Sequence, residues 1–178
     1  MDSVSDPAGI AIRRLESVDD TQIAALAELL VDAIEGGAGV SFMYPLEPAK
    51  AQAFWRRVAA GVAAGERALL IAEDDTGIVG TVQLVLDQPE NQPHRADLSK
   101  MLVHRRARRR GLGAALMRAA EQMGRELGKT LLVLDTVTGS DAERLYARLG
   151  WVRVGEIPDF ALLSRGGLSA TTVLYKRL

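Results

Sequence analysis

Apolar residues recur along the chain with two different periods, and the period changes from segment to segment. In some segments they fall three or four positions apart, which is the spacing of an amphipathic helix. Other, shorter runs are rich in aliphatic and β-branched residues and are bounded by turn residues, as is typical of strands. The two patterns alternate and predict an α/β (α+β) fold with about seven strands and about four helices.

The predicted elements have definite limits. Helices are expected from a start at Ser17 and Asp20 to Gly36, from Pro48 to Gly65, from Leu112 to Gly128, and from Ser140 to Gly150. Strands are expected over residues 10–15, 68–73, 78–86, 95–103, 131–134, 152–157 and 170–177. A helix connects the strand at 95–103 to the strand at 131–134, so these two strands are expected to be parallel.

The spacing of side chains along three of these elements predicts which face each side chain occupies. Along the strand at 95–103, period-two alternation predicts one face made of Asp97, Ser99, Met101 and Val103. On the third helix, Glu121 and Arg125 are expected to form an exposed pair one turn apart. On the fourth helix, the apolar spacing turns Tyr146 towards the core.

The segment between the first two helices is rich in glycine but also carries Phe42, Met43 and Tyr44. Aromatic and apolar side chains in a loop often line a binding site. They can equally well pack against the core, and the sequence does not separate these alternatives. Phe42, Met43 and Tyr44 are therefore candidate substrate-binding residues.

Composition excludes several classes of function. The chain of 178 residues has a formal net charge of −1, which argues against a dedicated nucleic-acid binder because phosphate neutralisation needs a basic excess. It has no cysteine and two histidines, which excludes disulfides and a cysteine nucleophile and makes a metal site unexpected. No secretion signal begins the sequence, and no stretch reaches the roughly 20 apolar residues of a membrane span, so a cytoplasmic location is expected.

The stretch at 99–118 has an order of elements suited to holding phosphate. A strand-like run is followed by three arginines, two glycines and an amphipathic helix; the arginines and glycines are Arg108, Arg109, Arg110, Gly111 and Gly113. The N–H groups of a helix's first turn attract an anion, and the arginines add positive charge. A solvated basic face with an ordinary turn is the alternative, but these elements follow one another without a spare residue. A dinucleotide fingerprint would need a third glycine where Leu116 stands.

Two motifs resemble those of the GNAT N-acetyltransferase superfamily. Residues 108–113 (RRRGLG) resemble its pyrophosphate loop R/QxxGxG/A, and residues 142–151 (AERLYARLGW) resemble its helix ending AxxxYxxxGF. The resemblance implies one domain over residues 1–178, with a mixed, mostly antiparallel sheet whose parallel pair lies at the acetyl-CoA site. It also implies direct transfer of an acetyl group from acetyl-CoA to an amine, without a metal.

The resemblance implies roles for individual residues. The coenzyme would be held by the strand before the loop, the loop itself and the start of the last helix: Met101, Leu102, Val103, Arg108, Arg109, Arg110, Gly111, Leu112, Gly113, Ala114 and Ser140. Tyr146 stands at the family's general-acid position, and Asp97 and Asp135 are candidates to accept the proton of the amine. Many members have a coenzyme-binding asparagine where this chain has Gly139, and neighbouring Ser140 is the candidate substitute.

Three longer segments, residues 36–43, 94–103 and 134–143, resemble a member of that superfamily that acetylates an amino-acid-like toxin. They imply toxin or antibiotic resistance and a small-molecule amine as partner. The charge and the lack of a membrane-spanning stretch predict no nucleic-acid or membrane partner, and the prediction leaves a homodimer open. The alternatives are an acyl-CoA-binding sensor without turnover, a nucleic-acid module, and an acetyltransferase of protein lysines or N-termini.

Overall fold

The computed structural model describes residues 4–5 and 9–178. Its strands are β1 (Val4–Ser5), β2 (Ala11–Leu15), β3 (Arg67–Asp74), β4 (Gly77–Val85), β5 (Arg95–Val103), β6 (Leu131–Val137), β7 (Val152–Leu162) and β8 (Leu168–Arg177). Its helices are α1 (Asp20–Glu35), α2 (Pro48–Ala63), α3 (Leu112–Glu126) and α4 (Asp141–Arg148), and a 3-10 turn spans Arg105–Ala107. The predicted seven strands and four helices are confirmed, and the two-residue β1 is added to them.

All eight strands form one sheet in the order β1-β2-β3-β4-β5-β6-β8-β7. The pair β5–β6 is parallel, as the crossover through α3 predicts, and the other neighbours are antiparallel. The β5–β6 ladder is short: it runs from Arg95 and Leu131 to Asp97 and Val133. Beyond that point the two central strands separate.

Helices cover both faces of the sheet, and successive residues of a central strand alternate between two cores. On β3, Leu69 and Ile71 belong to the core beneath α1 and α2, which also contains Trp55. Leu70 belongs to the core beneath α3 and α4, which also contains Leu116. Burial on both faces explains why the central strands are continuous apolar runs in the sequence.

The helix ends follow local capping chemistry, with one correction to the prediction. Helix α1 does not start at Ser17: Asp19 is its N-cap, and the side chains of Asp19 and Gln22 form a reciprocal capping box. Helix α2 begins with Pro48 at its first position, as predicted. Helix α4 is capped by Ser140, whose hydroxyl accepts a hydrogen bond from the Glu143 N–H.

The last two strands are longer than predicted and form an extended hairpin. The predicted glycine-bearing loop between 157 and 170 is mostly strand: β7 continues to Leu162, and β8 starts at Leu168. Pairing is irregular between Ile157 and Ala161, where Asp159 has a positive φ of 52°. The sequence pattern does not reveal the full length of β7 because this strand is an exposed edge strand. With no buried face, apolar and polar residues need not alternate along it.

Glu121 is buried and does not form the exposed pair predicted with Arg125. Its carboxylate accepts hydrogen bonds from Trp151 Nε1 at 3.0 Å and from Lys176 Nζ at 2.8 Å. Lys176 also donates to the carbonyl of Leu149, at the end of α4. This network joins α3, the end of α4 and β8, and it fixes the helix that carries Tyr146.

Candidate functional site

A cleft of about 820 Å³ opens where β5 and β6 separate. Its walls come from the carboxyl-terminal half of β5, the end of β6, the start of α3, one side of α4 and residues 36–40. On their outer sides, β5 continues to pair with β4, and β6 pairs with β8 over seven positions. The backbones of β5 and β6 therefore face each other across a gap that a ligand with amide groups can bridge.

A β-bulge in β5 shapes one wall of the cleft. Lys100 and Met101 together lie opposite Val82 of β4, and Lys100 has a positive φ of 52°. A bulge interrupts the alternation of side chains, so the residues that follow it change face. The predicted common face of Asp97, Ser99, Met101 and Val103 is therefore wrong.

The cores on the two sides of the sheet show the change of face directly. Before the bulge, Leu98 belongs to the core beneath α3 and α4, and after it Met101 and Val103 pack against that same core. Leu102 belongs to the opposite core. Asp97 therefore faces the same side as Leu102 and away from Met101.

The arginine-rich loop leads into α3 through two residues in the left-handed region, Arg109 with φ 61° and Gly111 with φ 79°. Gly111 is the N-cap of α3. Arg108 donates from Nε to the carbonyl of Val103 at 3.2 Å, and both Arg108 and Arg109 line the cleft. The positive end of the helix dipole and two guanidinium groups thus meet at one end of the cleft, which is the arrangement that binds phosphate.

The second glycine of the motif serves packing. A Cβ atom at Gly113 would lie 3.1 Å from Leu145 Cδ2 of α4. Glycine therefore lets the first turn of α3 lie close to α4, on the side of the cleft where Tyr146 lies.

Two buried or half-buried carboxylates hold the arginine loop in place. Asp32 of α1 accepts from the backbone N–H of Arg105 at 2.9 Å and from its Nε at 2.7 Å, and Asp74 accepts from Arg106 Nη1 at 2.7 Å. Burial alone would raise the pKa of Asp32, but the hydrogen bonds from Arg105 and the charges of His104 and Arg105 lower it overall. The pKa of Asp74 falls to about 2, because the hydrogen bonds from Thr76 and Arg106 outweigh burial.

Tyr146 is 5% exposed on α4 and lines the cleft. Its ring packs against that of Trp151, with the ring centroids 6.1 Å apart. Burial raises the pKa of the Tyr146 phenol well above its ordinary value, and the negative charge of Asp135 raises it further. Tyr146 therefore stays protonated throughout the physiological pH range and can act as a proton donor.

Asp135 and Lys100 line the same cleft from its two parted strands. Asp135 Oδ2 accepts a hydrogen bond from Thr171 Oγ1 at 3.0 Å and is otherwise exposed. Lys100 projects from the bulge, and its Nζ lies 3.2 Å from Ser41 Oγ. Sequence reasoning missed Lys100 because strand alternation gives no sign of a bulge.

The structure brings most of the predicted coenzyme-binding residues together. The cleft is lined by Met101, Leu102, Val103, Arg108, Arg109, Gly111, Leu112, Gly113, Ala114 and Ser140. Arg110 is exposed and lies outside this lining. Two further arginines that the sequence analysis did not single out, Arg144 and Arg148 of α4, join the lining. Their spacing of four residues places both arginines on the same face of α4, and this spacing could have identified them from the sequence.

The candidate substrate-binding residues belong to a loop that lines the cleft through other residues. Phe42 packs against Phe54 with ring centroids 5.3 Å apart, next to the core beneath α1 and α2. Met43 and Tyr44 are exposed, and Arg165 of the β7–β8 turn lies over the Tyr44 ring at 3.9 Å. None of these three lines the cleft, whereas residues 36–40 of the same loop do.

Asp97 is also outside the cleft lining. Its carboxylate accepts hydrogen bonds from Arg95 Nη1 and from Gln88 Nε2. The ion pair with Arg95 belongs to the start of β5, where this strand still pairs with β6. Of the two candidate carboxylates, the cleft therefore contains Asp135.

Within residues 4–5 and 9–178, no group of three or more histidine, aspartate or glutamate side chains is arranged to hold a metal ion. In the same part of the chain, every helix is too short or too polar to cross a lipid bilayer.

Comparison with known proteins gives consistent results. Residues 23–151 match the Acetyltransferase (GNAT) family. An uncharacterized N-acetyltransferase from the hisH-hisA intergenic region of Azospirillum brasilense is 28% identical over 128 residues, which are 71% of this chain and 74% of that protein. Human N-acetyltransferase 8 is 33% identical over 88 residues, or 48% of this chain, and the match spans only 39% of that protein.

A solved structure shows the same fold. The Salmonella typhimurium acetyltransferase yncA, determined with its cofactor acetyl-CoA, superposes with a TM-score of 0.77 at 20% sequence identity. The superposition covers 96% of this chain and 94% of that one. At this identity the likeness shows the fold, a mixed sheet with one parallel pair and flanking helices.

The buried phenol predicts a pH dependence of stability. We expect the free energy of unfolding of the wild type, relative to Tyr146→Phe, to fall as pH rises above the ordinary tyrosine value of 10.0. Above that pH the unfolded chain ionises this phenol while the folded chain does not; below it both forms keep the neutral phenol. The difference should change by up to about 1.4 kcal/mol per pH unit.

Urea unfolding of the two proteins at about pH 8 and about pH 11 measures this difference. Tyr44→Phe, which removes the hydroxyl of an exposed tyrosine, is the matched control. A difference between wild type and Tyr146→Phe that stays the same at both pH values would contradict a buried, neutral phenol.

Proposed function

This chain belongs to the acetyltransferase (GNAT) family, and we propose that it transfers an acetyl group from acetyl-CoA to the amine of a small molecule. The observation that carries the proposal is the set of residues that line a single cleft. A helix N-terminus with two arginines lies at one end, and Asp135 and the buried Tyr146 line the same cleft. These are the groups needed to hold a diphosphate, to remove a proton from an amine and to return one to a leaving group.

The charge and the backbone geometry of the cleft support acetyl-CoA as its occupant. Arg108 and Arg109, with the first N–H groups of α3, are suited to the pyrophosphate. Arg144 and Arg148 add positive charge from α4. The parted edges of β5 and β6 offer main-chain partners for the amide groups of the pantetheine arm. When bound, acetyl-CoA would supply the acetyl thioester.

The proton chemistry is assigned to two side chains of the cleft. Asp135 attracts the ammonium form of the acceptor and accepts its proton, directly or through water. The Tyr146 hydroxyl holds the proton that the departing sulfur needs, because burial keeps this phenol neutral. The Thr171 hydroxyl orients the Asp135 carboxylate, because it lies 3.0 Å from Asp135 Oδ2 and shares its proton between that oxygen and the carbonyl of Thr136.

The substrate class rests on a sequence resemblance together with its position in the fold. The segments at 36–43, 94–103 and 134–143 resemble the tabtoxin resistance protein, a GNAT enzyme that acetylates an amino-acid toxin. Each of the three contributes residues to the cleft, among them Val40, Lys100 and Asp135. An amino-acid-like toxin or antibiotic is therefore the proposed acceptor.

A thiol-release assay with acetyl-CoA tests the reaction. We expect release of CoA that depends on an added amine when the protein is presented with a panel of amino acids, amino-acid antibiotics, lysine peptides and peptides with free N-termini. Turnover with the small molecules supports the proposal, and turnover with the peptides alone would mean that proteins are the acceptors. Binding of acetyl-CoA without turnover of any amine would indicate a sensor.

Gly111→Asp tests the coenzyme site. The added carboxylate would lie at the N-terminus of α3, so we expect the dissociation constant for CoA to rise by about tenfold or more. Gly128→Asp is the matched control, because Gly128 follows the other end of α3 and also has a positive φ, 72° against 79° for Gly111. At both positions an added Cβ meets nothing within 4 Å. Isothermal titration with CoA measures both variants, and equal affinities would place the phosphate site elsewhere.

Asp135→Asn and Asp97→Asn together test the base. Removing the general base should lower kcat by about 100-fold or more, and we expect this loss from Asp135→Asn. Asp97→Asn disturbs the Arg95 pair outside the cleft, so its kcat should stay within about threefold of wild type. The measurement is kcat for one amine at saturating acetyl-CoA. The reverse ranking of the two variants would assign the base to Asp97.

A further inference from the structure

Two opposite charges line the cleft at the place where its strands part. Lys100 stands on the bulge of β5, and Asp135 stands on β6, the strand across the gap. The positive φ of Lys100, 52°, is a backbone conformation that few residues other than glycine adopt. A lysine held there has a side-chain direction set by the bulge rather than by the ordinary pleat of the strand.

The two groups in direct contact with the Lys100 ammonium, a hydroxyl and an aromatic ring, carry no negative charge. Its Nζ lies 3.2 Å from Ser41 Oγ and 5.7 Å from the centroid of the Phe54 ring. The half-buried side chain is partly removed from water, and this burial lowers the pKa of the Lys100 ammonium. The negative charge of Asp135 raises that pKa, and the positive charge of Arg67 lowers it further. Among the residues that the structure describes, no carboxylate forms an ion pair with Lys100. A desolvated ammonium of this kind gains more from an anionic ligand than an exposed one does.

Asp135 lines the same cleft as Lys100 but does not form an ion pair with it. Its carboxylate is engaged by the Thr171 hydroxyl, and its charge influences the pKa of both Lys100 and Tyr146. The two charges are thus near enough to act on each other and are not joined by a hydrogen bond. The site offers one negative and one positive group to a single occupant of the gap.

We propose that Lys100 is a specificity-determining residue that binds an acid group of the acceptor, so that the acceptor is a zwitterion carrying a carboxylate or similar anion close to its reactive amine. Asp135 takes the ammonium and Lys100 takes the anion. This inference rests on the proposed function and narrows its substrate to amines of the amino-acid type. It excludes simple alkylamines and lysine side chains within proteins as preferred acceptors, because neither carries an anion next to the amine.

The Lys100 contacts also allow a purely structural role, in which the ammonium only ties the loop at Ser41 to β5. That role predicts a loss of stability or a general loss of activity when Lys100 is changed. It does not predict that the loss depends on the acid group of the substrate. The experiment therefore compares substrates that differ only in that group.

The test uses matched pairs of acceptors, each an amino acid and its decarboxylated amine, such as L-phenylalanine with 2-phenylethylamine and L-lysine with cadaverine. Thiol release with acetyl-CoA gives kcat/KM for both members of a pair. We expect the wild type to prefer the amino acid and Lys100→Met to reduce the preference ratio by about tenfold or more, mainly through KM, since a charged hydrogen bond is lost. Differences in intrinsic amine reactivity cancel when the ratios of the two proteins are compared.

Two variants serve as controls. Lys100→Arg keeps the positive charge and should retain much of the preference that Lys100→Met loses. Lys50→Met removes an exposed lysine from the first turn of α2, outside the cleft, and should leave the ratio at its wild-type value. Thermal unfolding of all three variants shows whether each is folded.

The outcomes separate this inference from the proposed function. No turnover of any amine would overturn the proposed acetyl transfer itself. Turnover with equal kcat/KM for amino acids and their decarboxylated partners would overturn the role of Lys100 while leaving acetyl transfer intact. A preference that Lys100→Met retains in full would assign recognition of the acid group to another residue and would also overturn the inference.

Discussion

The separation of β5 from β6 is the structural constraint on which the site depends. The two strands pair over three positions and then part, although β5 continues to pair with β4 and β6 continues to pair with β8. Parallel pairing along their whole length would satisfy more backbone groups but would leave no cleft. The β5–β6 ladder ends at Asp97, and the bulge that follows at Lys100 and Met101 adds a residue to β5 and bends the strand, so the ladder does not resume beyond it.

Contacts remote from the cleft keep it open. On one side, Asp32 and Asp74 hold Arg105 and Arg106, which fixes the loop before α3 relative to α1 and β3. On the other side, buried Glu121 binds Trp151 and Lys176 and so fixes the end of α4 relative to α3 and β8. The arginine loop and Tyr146 are thus attached to rigid elements by separate networks. A site that must align a long coenzyme with an acceptor benefits from this rigidity.

The sequence was sufficient to predict the four helices, seven of the eight strands described and the parallel pair, because burial on one or both faces imposes a clear period on the chain. It was also sufficient to predict the loop at Gly111 and the inward orientation of Tyr146, since both depend on local spacing. Prediction from the sequence failed where the alternation of buried and exposed side chains is interrupted or absent. The bulge reversed the inferred face of Asp97, and the β7–β8 hairpin lacked a buried face to mark its length. Glu121 was misplaced because the partners that make its burial tolerable lie 30 and 55 residues away along the chain.

The net charge of the chain is −1, but the charges that line the cleft are unevenly distributed along it. Arg108 and Arg109 concentrate positive charge at the N-terminus of α3, where a polyanion gains most. Near the parted strands the charges are instead balanced, with one cation on β5 and one anion on β6. A uniformly basic cleft would attract any anion, including the acetylated product and the coenzyme. A pair of opposite charges binds a zwitterion more strongly than the acetylated form of that zwitterion, which has lost its positive charge. Acetylation removes the positive charge of an amine, so the product of the proposed acceptor would lose its attraction to Asp135 and keep only the contact of its anion with Lys100. The arrangement that we propose for selecting an amino-acid-like acceptor would therefore also favour release of its product.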